Sequence, residues 1–453
     1  MRPRASTAYA RALSPNPASA ADEGLDARRA ALALVAAAGA RRNGLDEALS
    51  APGFSRLDTR DRGFARALAM TVLRRRGVLD RALGARLAKP PPEAVLDLLR
   101  LGAAQLWGMD TPRHAAVATT VELASRNPAT RPFKGLVNAV LRGLLRDPAP
   151  EAPPEALAPD WLYARWRAAY GEAAAQAVAA LIVEEPAADL TLRDAAEAPI
   201  LAAELEAEIL EGGSLRTRRH GDVTGWPGFA EGRWWVQDAS SAIPARLLAA
   251  AAGEQVLDLC AAPGGKALQL AATGASVTAV DRSGARLKRL EENLARTGLR
   301  AEIVVVDAAD WADDRRFDAV LLDAPCTATG AFRRHPDALW ATRPGDIGRL
   351  GELQARLLVS AAGRVRPGGR LVYCVCSLEP EEGEAQIEGF LADHPEFRLD
   401  PLAAHEAGAP SGAVTEAGLL RVLPHQRPGG TDGFFAARLV RLPGLAGDDN
   451  SGS

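Results

Sequence analysis

The chain has 453 residues, a formal net charge of −3, 47% hydrophobic and 25% charged residues, and four cysteines. It is long enough for two or three domains with separate cores, and its composition excludes a disulfide-stapled scaffold and a globally basic nucleic-acid binder, although a balanced chain can still carry a local basic patch. No apolar run approaches the ~20 residues that cross a bilayer, and Cys260, Cys326, Cys374 and Cys376 lack zinc-type C-x2-C spacing, so neither a membrane nor a metal is expected, and free thiols in a reducing cytoplasm fit best.

Residues 1–21 are rich in Ala, Ser, Pro and Arg and lack acids before Asp22. An organellar transit peptide has that composition, but Pro15 and Pro17 interrupt any amphipathic helix, and the segment reads as a disordered tail. From 22 to 147 apolar residues recur three and four apart, as in Phe64, Leu68, Val72 and Leu73, which predicts a bundle of about six helices. Arg60, Arg62, Arg66, Arg74, Arg75, Arg76 and Arg81 form either a basic face for phosphates or a solvated face balanced by Asp58, Asp61 and Asp80. Gly135 and Ala139, four apart, offer a smooth face for another helix.

The pieces Asp61-Arg62 with TVLRRRGVLD, then DLLRLGAAQL, PRHAAVATTVELA and KGLVNAVLRGLLR, resemble in order the RNA-binding domain of the antitermination factor NusB. The resemblance implies RNA contact; the periodicity alone implies only a bundle. Residues 148–159 carry five prolines and read as a linker. Residues 160–252 read as a small α+β module, in which Trp234 and Trp235 either pack in a core or, beside Arg216, Arg218 and Arg219, stack on bases.

From 253 to 441 strands alternate with helices, the pattern of a Rossmann-like α/β domain, and 442–453 reads as a second disordered tail. The first unit, QVLDLCAAPGGK, is a strand, a glycine turn and a helix start, comprising Cys260, Ala261, Ala262, Pro263, Gly264, Gly265 and Lys266. Glycines allow close backbone approach, and a helix N-terminus offers free N–H groups. The turn lacks both GxGxxG and GxxxxGK[ST]. A glycine turn followed by a strand ending in Asp281, a carboxylate suited to ribose hydroxyls, points to S-adenosylmethionine. Asp258, Asp281, Asp307, Asp323 and Cys376 are all expected at strand ends on one edge of a parallel sheet, where the ligand crevice lies.

Two thiols beside a methyl donor suggest one reaction. C5 of cytosine is too weak a nucleophile to take a methyl group directly; a thiolate adding at C6 turns the ring into an enamine, so one difficult step becomes two easier ones. The base must leave its stack to reach such a pocket. Asp323 is a candidate hydrogen-bond partner for the N3/N4 edge of the base. Cys260 and Cys374 read as small buried residues.

DLCAAPGGK, LLDAPCTATGAFRRHPD, LVYCVCSLEPEEGE and the final DGFF are similar to motifs of the RsmB/Sun family of RNA cytosine-5 methyltransferases, which with the NusB-like front end covers about 22 to 441. The resemblance implies a 16S ribosomal RNA substrate. It implies Cys376 as nucleophile, Cys326 in product release, and Asp281, Asp307, Asp323 and the 260–266 turn around S-adenosylmethionine. It also sets Arg333, Arg334 and His335 near RNA. Val375 stands where the family usually has Thr, and Thr191-Leu192-Arg193-Asp194 departs from its usual Leu-Arg-Val-Asn run. A monomer acting on RNA, not DNA, is expected. Other readings are the same chemistry on tRNA, a small-molecule methyltransferase and a non-catalytic RNA-binding assembly factor. In DNA cytosine-5 enzymes the Pro-Cys thiol attacks, which would exchange the roles of Cys326 and Cys376.

Overall fold

The computed structural model describes residues 20–40 and 44–443, so the expected tails lie outside the described residues apart from 20–21 and 442–443. Two compact units are present. One runs to Glu184 and also takes Arg334–Arg343; the other holds Glu185–Arg333 and the chain from Pro344.

The first unit contains α1 (Ala20–Ala40), α2 (Gly44–Ser50), α3 (Pro52–Ser55), α4 (Thr59–Gly84), α5 (Glu93–Trp107), α6 (Arg113–Arg126) and α7 (Lys134–Leu144). Its core is aliphatic: Leu34, Leu68, Leu73, Leu98, Leu99, Leu141 and Leu144 are fully buried. Asp58 caps α4, accepting from the Asp61 amide at 2.7 Å. Gly135 and Ala139 are exposed on α7, and a Cβ at Gly135 would meet nothing, so the face expected to receive a helix is open. The close approach occurs instead at Gly102 of α5, where a Cβ would sit 2.7 Å from Leu141.

The proline-rich stretch is packed, with Ala156, Leu157 and Ala158 buried. A Cβ at Gly77 would come within 2.1 Å of the Ala156 carbonyl. Helices α8 (Asp160–Tyr170) and α9 (Glu172–Ala180) follow in the same unit, whereas composition groups them with the next module. Arg81 explains part of the difference, donating to Glu155 O at 3.2 Å and Asp160 Oδ1 at 3.0 Å. The returning segment carries α14 (Asp337–Ala341); Trp340 donates from Nε1 to Leu73 O at 2.9 Å, and Arg76 lies over its ring at 5.2 Å.

The second unit begins with a four-stranded antiparallel sheet, order β2-β3-β1-β4, formed by β1 (Ala188–Leu192), β2 (Ala207–Ile209), β3 (Leu215–Thr217) and β4 (Trp234–Val236), with α10 (Ala198–Leu205) against it. Trp234 and Trp235 are buried, which settles them as core residues. Helix α11 (Ile243–Leu248) is short. Asp238 and Ser240 lock the preceding turn at 2.6 Å, and Ala249 at φ +51° ends the helix.

The large sheet has the order β10-β12-β9-β8-β5-β6-β7, with β11 paired to β12. Strands β5 (Gln255–Leu259), β6 (Ser276–Asp281), β7 (Glu302–Val305), β8 (Phe317–Asp323) and β9 (Val365–Val375) are parallel. Strand β12 (Phe434–Arg441) runs antiparallel to β9, and β10 (Phe397–Leu399) and β11 (Leu420–Val422) antiparallel to β12, so the expected parallel sheet is mixed. Helices α12 (Gly265–Ala272), α13 (Gly284–Thr297), α15 (Pro344–Arg364) and α16 (Glu384–Asp393) complete the layers. Strand order reverses between β5 and β8. That is the switch point of a doubly wound sheet, where ligands bind beyond the strand C-termini.

Candidate active site

Strand β5 ends at Leu259, and the chain then turns through Cys260 at φ +61° and Gly264 at φ +112°. At Gly264 a Cβ would lie 2.5 Å from Leu290 of α13, so both conformation and space select glycine. Leu268 N donates to Gly264 O at 2.9 Å as α12 begins. At the end of β6, Asp281 accepts from Ala262 N at 3.1 Å through one oxygen and from Ser283 N at 2.8 Å through the other. The carboxylate is thereby fixed, with lone pairs left on both oxygens. Arg286 donates to Ala262 O from the other side.

Asp258 lies within β5 and is fully buried, and neither of its oxygens has a hydrogen-bond partner among the described residues. Burial, then the charge of Asp323, push its carboxyl up to about 8. Lys266 forms an ion pair with Asp323 at 2.6 Å and lies over the Phe434 ring at 5.0 Å. Burial disfavours the Lys266 cation, but the charge of Asp323 outweighs it, and its pKa is raised. Asp307 lies two residues past β7, not on the strand, where it accepts from Ala309 N at 3.0 Å. Val305, the last residue of β7, is 60% exposed, unusual for a large apolar side chain; its isolation became visible only in the fold.

The donor set fits S-adenosylmethionine. A buried carboxylate without a partner suits an ammonium group, and a fixed strand-end carboxylate suits vicinal hydroxyls.

The sulfurs of Cys326 and Cys376 are 3.5 Å apart. Adjacent strands bring them together: β8 runs into Asp323-Ala324-Pro325-Cys326, and β9 stops one residue before Cys376. Ala324 N donates to Cys374 O at 3.0 Å, and Gly330 N to Cys376 O at 3.1 Å. Cys326 is buried, whereas Cys376 is half-exposed. The contact with Cys376, then burial, raise the Cys326 thiol well above its ordinary value. Cys374 is fully buried on β9, 3.5 Å from Asp323 Oδ1, and burial raises its thiol also. Burial likewise raises the Cys260 thiol, followed by the charge of Asp281. The residues expected around the methyl donor and the two thiols therefore gather at one sheet edge of the second unit.

Arg333, expected near RNA, is only 1% exposed; it donates to Gly429 O at 2.7 Å and lies 3.9 Å from Asp238. His335 is exposed.

A family model described as 16S rRNA methyltransferase RsmB/F matches residues 245–440, and a NusB family model matches 25–146. The Ribosomal RNA small subunit methyltransferase B of Xanthomonas campestris pv. campestris is 39% identical over 447 residues, covering 94% of this chain and 99% of that protein. Its namesake from Sodalis glossinidius is 38% identical, covering 87% and 93%. Among solved structures, PH0851 superposes with a TM-score of 0.75 at 26% identity, over 94% of this chain and 100% of that one. NSun6 from Pyrococcus horikoshii with SFG, at 20% identity and a TM-score of 0.52 over 63% of this chain and 98% of that one, shares the fold. With its two matched regions in the same order and relatives aligned along nearly its whole length, the chain belongs to the RsmB/F family of 16S rRNA methyltransferases, which depend on S-adenosylmethionine.

Proposed function

We propose that the chain methylates C5 of a cytosine in 16S ribosomal RNA through a transient bond from Cys376 to C6 of the base. The observation that carries the reading is the pair of sulfurs 3.5 Å apart beside the acid-lined crevice of the same sheet. When bound, S-adenosylmethionine supplies an electrophilic methyl group. The chain's own residues then have distinct tasks.

Asp281 takes the ribose hydroxyls, Asp258 the ammonium and Asp307 the adenine amino group. The turn from Cys260 to Lys266 lines the methionine portion, and Val305 packs on an adenine face. Cys376, the more exposed thiol, adds as thiolate to C6, and the ring electrons move to C5. While Cys376 is anionic, Cys326 stays protonated against it. Once the S–C6 bond forms, that neighbouring charge is gone and Cys326 loses its proton to solvent more readily. It then takes the C5 proton after methylation, the C5=C6 bond re-forms, and Cys376 leaves as thiolate. Burial of Cys326 and exposure of Cys376 favour this order of roles over the order in DNA enzymes. Asp323, held by Lys266, serves the N3/N4 edge of the base.

RNA is the macromolecular partner on this reading, in the cytoplasm, with a monomeric enzyme. No helix among the described residues is long and apolar enough to cross a membrane. Exposed Arg60 and Arg66 on α4 supply phosphate contacts. The test is methyl transfer from a labelled donor to total RNA, followed by digestion to nucleosides. The expected product is 5-methylcytidine in the 16S fraction. Label confined to tRNA would transfer the chemistry to that substrate, and a different methylated nucleoside would refute the mechanism.

A further inference from the structure

We infer that Glu382 is a positioning residue for the two thiols: its carboxylate ties together the residues that follow them and keeps the sulfurs in contact. The inference rests on the cysteine chemistry proposed above and assigns work to a side chain outside the strand-end set.

Glu382 follows β9 in the Glu379-Pro380-Glu381-Glu382 turn and is fully buried. An ionised carboxylate in a core is costly unless its lone pairs are filled. Here four groups converge on it. Thr327 N donates at 2.9 Å, and Thr327 Oγ1 makes a second, short contact. Ser377 Oγ donates at 2.5 Å and Gln354 Nε2 at 3.0 Å. A carboxylate has about four lone-pair sites, so this one is filled. Two of its partners are significant by position: Thr327 is the residue after Cys326, and Ser377 is the residue after Cys376. One side chain thus bridges the two cysteine-bearing segments, each at the first residue beyond its sulfur.

The bridge is itself anchored. Tyr373 of β9 donates its hydroxyl to Glu382 O at 2.7 Å, and Gln354 of α15 also donates to Pro325 O at 3.0 Å. Arg421 donates to Ser377 O at 2.6 Å and pairs with Glu384. Ser377 Oγ is bonded in turn by Glu379 N at 3.0 Å. The charged and titratable groups around the pair therefore include Cys326, Cys376, Glu379, Glu382, Glu384, Arg421 and Tyr373, with Lys266, paired to Asp323, acting on Cys376 from the cofactor side. Of these, Glu382 reaches both thiol segments directly. Its negative charge also disfavours ionisation of Cys326, adding to the effect of Cys376 itself.

Glu382→Gln keeps the volume but turns an amide toward donors that need an acceptor. In single-turnover methyl transfer by the full chain at pH 7, a loss on the order of 10²-fold is expected, the scale set by misplacing reacting groups by about an ångström. Affinity for S-adenosylmethionine is expected to stay unchanged, because Asp281, Asp258 and the glycine turn do not contact Glu382. The pH–rate profile is expected to move to lower pH, since Cys326 ionises more easily without the neighbouring charge. Glu381→Gln, in the same turn but exposed, is expected to behave as wild type. A Glu382→Gln enzyme with the wild-type rate would overturn the inference. So would one that loses rate evenly at every pH together with donor affinity.

Should Glu382→Gln not fold, Thr327→Ser and Thr327→Val carry the test. The first keeps the hydroxyl and is expected to retain the rate, the second to lose it, and equal rates would overturn the inference. If the wild type makes no 5-methylcytidine, the cysteine chemistry and this inference fall together; if it does and the variants are normal, only the role of Glu382 falls.

Discussion

Two sulfurs 3.5 Å apart do not both ionise near neutral pH, because the first charge opposes the second. The contact with Cys376, then burial, keeps Cys326 the protonated partner, and that asymmetry suits one thiol for attack and the other for release. Asp258 has its own pH signature. Its carboxyl titrates near 8 in the folded chain, against roughly 4 when unfolded. Between those values the folded state holds a proton that the unfolded state has released, so its stabilising contribution is complete below about pH 4 and lost as pH rises through about 8. Urea unfolding at a series of pH values is expected to show this decline in wild type and a flatter profile in Asp258→Asn. Lys266→Met leaves Asp323 without its cation; a loss of about 1–3 kcal/mol in unfolding free energy is expected, together with weaker donor binding in calorimetry. The acids and thiols were legible in the sequence because each sits next to a strand signal or a proline or glycine turn. The missing partner of Asp258 and the exposure of Val305 were not, since both depend on which strands lie alongside.

Among the elements, the turn between β5 and α12 is the most sharply specified. Gly264→Ala introduces a Cβ where φ is +112° and Leu290 is 2.5 Å away. The variant is expected to fold and to bind S-adenosylmethionine at least tenfold more weakly in calorimetry. Gly264→Ala with Leu290→Ala should recover only part of that, because removing the clash leaves the left-handed backbone in place. Strands β5 to β9 were readable from alternating apolar runs and helices. Strands β10 and β11, three residues each, lack the length for a period-two signal and exist by pairing with β12. The antiparallel direction of β12 was likewise invisible: the run Phe434-Phe435-Ala436-Ala437 shows burial on both faces but not direction.

At the scale of the whole molecule, the arginine-rich front helix divides by use. Arg74 donates to Glu184 O, Arg76 pairs with Glu93 at 3.1 Å and Arg81 with Asp160 at 3.0 Å, whereas Arg60 and Arg66 are exposed. Neutralising Arg60 and Arg66 together is expected to weaken RNA binding and reduce the slope of log affinity against log salt by about 2, read by filter binding across a salt series. Arg76→Ala should instead lower the unfolding free energy by about 1–3 kcal/mol and leave that slope unchanged. The sequence showed the arginines but not this division, because most of their partners lie 17 to 110 residues away. The return of Arg334–Arg343 to the first unit was hidden for the same reason, since Trp340 finds Leu73 across 267 residues. The most direct test of the proposed chemistry is a denaturing gel of Cys326→Ala and Cys376→Ala after expression with cellular RNA. An RNA adduct on Cys326→Ala and none on Cys376→Ala is the expected result; an adduct on Cys376→Ala alone, or on neither, would contradict the roles assigned to the two thiols.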